Sequence, residues 1–60
     1  MSPQIHRPGE IVPTSGQYRV VDVSGRSCGR EVTSVRGERF PPTQTTREYG
    51  YVLVDRTIHR

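Results

Sequence analysis

Apolar and polar positions alternate over residues 17–23: Tyr18 and Val20 fall on one side with Asp22, and Arg19, Val21 and Val23 on the other. A period of two is the signature of a half-buried strand, and it predicts a first strand at Gln17–Val23. A second is predicted at Arg30–Val35, where Val32 is flanked by Glu31 and Thr33. Ser24–Gly29, with two glycines able to take positive φ, reads as the connecting hairpin loop. Arg36-Gly37-Glu38 is a tight turn, Arg39-Phe40 begins a short third strand, and Pro41-Pro42 ends it. The last strand is predicted at Tyr51–Ile58, where Tyr51, Leu53 and Asp55 alternate with Val52, Val54 and Arg56.

No window carries apolar residues at helical spacing over three turns, alanine is absent, and glycine and proline fill eleven positions. Helix is disfavoured nearly everywhere. One exception is considered in the polar loop Thr43–Gly50, where Thr45 and Glu48 have the spacing of a capping box and could form one helical turn. Residues 1–16 hold Pro3, Pro8, Gly9, Pro13 and Gly16, and are expected to be an extended, flexible lead-in from which Ile11 and Val12 dock on the sheet. The expectation is one small β domain over 17–58, an antiparallel sheet of three to four strands.

Length sharpens this picture. At 60 residues a chain sits near the lower limit for burying a self-sufficient core, and such domains commonly add disulfides or a metal. A single cysteine, Cys28, excludes an internal disulfide and fits a reducing compartment. No apolar run approaches the ~20 residues that span a bilayer, and Met1–Arg7 lacks the apolar core of a signal peptide. A cytoplasmic protein is expected.

The net charge of +3 comes from nine arginines and no lysine. Arginine suits phosphate, because its guanidinium forms bidentate pairs. The arginines are spread along the chain, however, and Glu31, Glu38 and Glu48 each have one beside them in sequence. Solvation and coding bias explain that distribution better than a dedicated binding face does. If a face exists, Arg19, Arg36, Arg39 and Arg47 with Tyr18, Tyr49 and Tyr51 are its candidates, the tyrosines as stacking platforms. The competing reading makes the tyrosines half-buried sheet residues and Phe40 the aromatic plug of the core.

Catalytic patterns are sparse. Cys28 lies near Arg26 and Arg30, which favour a thiolate, but the predicted sheet offers no histidine as a base. His6 and His59 fall near the chain ends and read as tail residues. No glycine motif opening a helix is present to cradle a phosphate. The expectation is a non-enzymatic chain.

Pro13-Thr14-Ser15-Gly16-Gln17-Tyr18, then Cys28-Gly29-Arg30-Glu31-Val32-Thr33, Gly37-Glu38-Arg39-Phe40-Pro41-Pro42 and Tyr51-Val52-Leu53-Val54 together resemble a family of small bacterial zinc-ribbon proteins of unknown function. The match covers roughly residues 9–54. The resemblance implies a rubredoxin-like β-ribbon with two metal knuckles. It also implies cysteines at 43 and 46, where this chain has Thr43 and Thr46, and a partner for Cys28 at Gly25, or at Val20 or Val23. Zinc takes four ligands at about 2.0–2.3 Å, and neutral hydroxyls do not replace thiolates. A metal-free relative without cofactor is therefore expected, with Cys28 as a relic ligand. The functional expectation is a binding module for another protein or a second copy of itself, with weak nucleic-acid binding as the alternative and no membrane partner.

Overall fold

The computed structural model describes residues 4–56. Ile58 and His59, placed above in the last strand and in the tail, lie outside the described residues. Three strands form one antiparallel sheet: β1 (Gly16–Val21), β2 (Ser27–Ser34) and β3 (Gly50–Arg56), in the order β2-β1-β3. The first strand is thus the central one. No helix occurs among the described residues, and none is long and apolar enough to cross a membrane.

β1 ends two residues before the alternation does, and Asp22 is the reason. Its Oδ1 accepts hydrogen bonds from the Ser24 N–H (3.0 Å), the Ser24 hydroxyl (2.6 Å) and the Arg26 N–H (3.0 Å). An aspartate that satisfies its own downstream backbone closes a turn more readily than it continues a strand. Gly25, at φ +89, donates its N–H to the Asp22 carbonyl at 2.9 Å. Val23 is consequently 76% exposed at the tip rather than part of the strand.

β2 begins three residues earlier than the alternation suggested. The register runs Arg19↔Glu31 and then Val21↔Ser27, so Val20 alone opposes Cys28, Gly29 and Arg30. Such a bulge needs backbone outside the strand region, and Gly29 supplies it at φ +85. β3 carries a second irregularity, between the pairs Gln17↔Asp55 and Tyr18↔Leu53, with Val54 as the extra residue.

The expected short strand at Arg39-Phe40 is a single bridge, Ile11↔Arg39. Its partner is the lead-in. Gly9 and Val12 donate to the carbonyls of Phe40 (3.0 Å) and Glu38 (2.7 Å), while Phe40 and Gly37 donate to those of Glu10 and Val12 (both 2.9 Å). These four bonds tie residues 9–12 to 37–40, so this part of the lead-in packs as part of the β domain. The possible helical turn at Thr45 is instead a tight turn in which Glu48 N–H donates to the Thr45 carbonyl at 3.2 Å.

The core is one cluster of Val12, Tyr18, Val20, Phe40 and Tyr51, with Cys28, Val32 and Leu53 partly buried against it. Phe40 stacks on Tyr51 (centroids 5.0 Å, 8°) and on His6 (5.3 Å, 19°), and meets Tyr18 edge-on at 4.9 Å. The aromatic plug expected at Phe40 is in place. His6, read from sequence as a tail residue, is a core residue: its N–H and C=O both pair with Tyr51 at 2.8 Å. One of its neighbours explains the difference, since the Phe40 ring offers a flat surface that no local pattern reveals.

Candidate binding surface

One face of the sheet covers the core, and the other is open except at Val21, which is buried at the end of β1. On the open face β1 presents Gln17 and Arg19, β2 presents Glu31 and Thr33, and β3 presents Val52, with Arg19 opposite both Glu31 and Val52. Gln17 bridges the strands: its amide donates to Glu31 Oε1 at 3.2 Å and accepts from the Thr33 hydroxyl at 2.7 Å. Cross-strand polar pairs of this kind pin register. Sequence reasoning gave Gln17 no role beyond its place in the strand, and only knowledge of the register Gln17↔Thr33 makes it visible.

The seven candidate residues do not converge. Arg19 is on the open face, Arg36 and Arg39 lie at the turn between residues 35 and 39, and Arg47 is on the 43–49 loop; all four are exposed. Arg39 Nη1 donates to the Gly9 carbonyl at 2.8 Å. Tyr18 and Tyr51 are 0% exposed, each hydroxyl donating at 2.6 Å to a carbonyl, of Thr14 and of Pro41. Sealed in this way, they cannot stack on a ligand at the surface. Burial also pushes both phenols above their ordinary pKa, so they stay neutral. Tyr49 is half-buried, and its ring is already covered by Arg7, whose Cζ sits 3.8 Å from the centroid and whose Nε donates to the Tyr49 carbonyl at 3.0 Å. Arg7 was missed because its partner lies 42 residues away.

The sequence neighbours Arg47–Glu48, Arg39–Glu38 and Arg30–Glu31 form no ion pair; the arginine ion pair among the described residues is Arg30–Glu48. It is bidentate, Nη2 to Oε1 at 2.9 Å and Nε to Oε2 at 3.2 Å. Glu48 Oε1 also accepts the Gln44 N–H at 2.9 Å, and the Glu48 side chain is only 6% exposed. These bonds explain why Glu48 does not serve as a helix cap. The Arg30 guanidinium, helped by the Gln44 amide, holds the Glu48 carboxyl below the usual carboxylate range. Asp22 is likewise lowered, first by the Ser24 hydroxyl and then by the Arg26 N–H.

A carboxyl whose folded pKa is depressed adds stability above its unfolded value, and that stability is lost as pH falls through the folded value. Melting temperature is therefore expected to hold steady above about pH 5 and to drop once pH passes below about 4, where free carboxyls titrate. Glu48→Gln is expected to flatten that acid limb, and an unchanged limb in thermal melts across pH would show that the Arg30 pair does not couple to folding.

Cys28 lies partly buried on β2 with Sγ 4.0 Å from the Arg47 carbonyl, so it faces the loop that carries Thr43 and Thr46. Among the described residues no three His, Cys, Asp or Glu side chains come together as a metal site requires. What remains is the outer edge of β2. Tyr51 exchanges both backbone bonds with His6, so its β1 partner Val20 turns its polar groups toward β2, and by alternation so does Tyr18. Tyr18 opposes Val32, which leaves the N–H and C=O groups of Glu31 and Thr33 pointing outward. The corresponding edge of β3 is closed at Tyr51 by His6. No family model matches the chain, and neither a curated protein nor a solved structure shows significant similarity to it.

Proposed function

We propose that this chain is a non-catalytic interaction module that takes a strand of a partner protein, or of a second copy, along the free edge of β2. The observation that carries the reading is the eight-residue edge strand, which has β1 on one side and no strand on the other among the described residues. Unpaired strand edges template further pairing, and strand addition draws affinity from main-chain bonds and specificity from alternate side chains. The Gly29 bulge kinks this edge and Arg30 and Glu31 charge it, two devices that discourage indiscriminate pairing. Both leave the Glu31–Thr33 stretch as the straight segment a partner strand can follow.

The zinc-ribbon likeness belongs to the same reading. It is supported by Cys28 facing the 43–49 loop and by Gly29 at φ +85, the conformation a Cys-Gly knuckle requires. A metal-free ribbon is read here, so purified protein is expected to carry far less than one zinc per chain, and stoichiometric zinc would overturn that part.

A second reading, contact with a nucleic acid, is favoured by one observation: Arg7, Arg19, Arg26, Arg36, Arg39 and Arg47 have no ion-pair partner among the described residues. Their scatter over several surfaces speaks for the first reading, since a dedicated footprint is clustered. Thr33→Pro separates the two. Proline there removes an outward N–H without breaking the β1–β2 ladder and also deletes the Thr33 hydroxyl bond to Gln17. Stability is therefore expected to fall by about 1 kcal/mol, and Thr33→Ala, which loses only the hydroxyl, serves as the control. Wild type is expected to self-associate in sedimentation or to retain a stoichiometric partner, and Thr33→Pro to lose it. Association unaffected by Thr33→Pro would defeat edge pairing. Binding of a single-stranded oligonucleotide that falls steeply with salt would support the second reading instead.

A further inference from the structure

The N-terminal segment does not lie flat on the sheet. Between it and β3 is a cleft of about 320 Å³, lined by Gln4, His6, Pro13, Thr14, Tyr18 and Leu53. That volume is at the small end of the range that small-molecule sites occupy.

Its walls are fixed before any ligand arrives. His6 is held by its two backbone bonds to Tyr51, and its ring is wedged against Phe40 at 5.3 Å and Tyr18 at 5.9 Å. The Tyr18 hydroxyl is tied to the Thr14 carbonyl, which sets the opposite side. Preset walls lower the ordering cost of binding.

The lining is mixed in a particular way. Pro13, Leu53 and the Tyr18 ring are apolar, and Gln4, Thr14 and His6 bring an amide, a hydroxyl and an imidazole. Among the described residues no arginine and no carboxylate lines the cleft, and Glu10 Oε1 is 3.9 Å from His6 Nδ1. The His6 side chain is 10% exposed, and its imidazole makes no hydrogen bond among the described residues. An imidazole carries a donor or an acceptor at each nitrogen, and no buried side-chain nitrogen or oxygen among the described residues lacks a partner, so an unbonded His6 nitrogen is open to solvent. A ligand edge set against that nitrogen takes the place of water as its hydrogen-bond partner.

We propose that this cleft is a binding site for a small, neutral heterocycle of one or two rings, its ring between Pro13 and Leu53 and its polar edge on His6. Neutrality follows from the described lining, which holds no arginine to fix an anion, and Glu10 beside His6 repels one. The proposal is independent of partner pairing, because the cleft is on the β3 side of β1 and the free edge is on the β2 side.

The probes are adenine and nicotinamide, with benzoate as an anion of similar size, titrated to about 10 mM against labelled protein, a range that detects millimolar dissociation constants. One of the two heterocycles is expected to shift the amide resonances of His6, Thr14 and Leu53 saturably, and benzoate is not. His6→Phe keeps the stacked ring and removes both nitrogens, so affinity is expected to fall about tenfold, the scale of one net hydrogen bond. Leu53→Trp, which fills the cleft from β3, is expected to abolish the shifts and gives a second reading if His6→Phe does not fold. Absence of saturable shifts with both heterocycles, tighter binding of benzoate, or full binding by either variant would overturn the proposal.

Discussion

Phe40→Ala is expected to leave the chain largely unfolded at 25 °C. Phe40 touches His6, Tyr18 and Tyr51, the three rings that join the lead-in to β1 and β3. Truncating a buried phenylalanine costs about 3–5 kcal/mol. At roughly 0.05–0.15 kcal/mol per residue, a chain of this length has a total stability of about 3–9 kcal/mol. A chain this short with a five-residue core cluster and no disulfide belongs at the low end of that range, where the cost equals the whole stability. Urea denaturation followed by circular dichroism and proton spectra checks it: a cooperative transition with a loss under about 1 kcal/mol would show that the ring cluster is not the keystone, whereas the expected result is collapsed chemical-shift dispersion.

The second large effect is expected at Gly50. Its φ is not positive, so no backbone requirement calls for glycine there. Space does. A Cβ on residue 50 would lie 2.5 Å from the His6 carbonyl oxygen and 2.6 Å from Ile5 Cγ2. A backbone oxygen held by the Tyr51 N–H cannot swing aside, so Gly50→Ala must push residues 5 and 6 off β3. Overpacking of this kind costs about 1–3 kcal/mol, and here the expected loss is local. Amide exchange at His6 and Tyr51 should accelerate sharply while the β1–β2 amides keep their protection, because that ladder contains neither residue. Uniform acceleration across the sheet would instead show that the lead-in and the sheet unfold as one unit. Intact protection at His6 would show that the close approach relaxes without cost.

These two sites also mark where reading the sequence stopped working. Phe40 was legible, because a lone phenylalanine in a chain without tryptophan has few other places to go. Gly50 was not, because the atom that excludes a side chain there belongs to His6, forty-four positions away in a segment that looked like a tail. Separation along the chain also hid the stacking of Arg7 on Tyr49, 42 positions apart, and the pairing of Arg30 with Glu48, 18 apart. Sequence neighbours suggested Arg47 for Glu48, but Arg47 sits in the turn that Glu48 closes while the Glu48 carboxylate faces Arg30 and the Gln44 N–H, so proximity along the chain is a poor guide to ion pairs. The tyrosines show the converse error. Alternation placed Tyr18 and Tyr51 correctly on one face of their strands, yet it could not say that both residues would be left with no exposed surface.

What the chain settled by itself is its local chemistry: alternation in β1 and β3, the Pro41-Pro42 stop, a mainly β architecture and an interior too thin in apolar residues to tolerate much loss. These follow from steric and solvation rules that act over a few residues. Tertiary structure alone decided which strand is central, how far the lead-in is folded in, which arginine meets which acid, and that an imidazole ends beside a cleft. Those outcomes depend on contacts between distant segments, whose energies appear only after the backbone has brought them together.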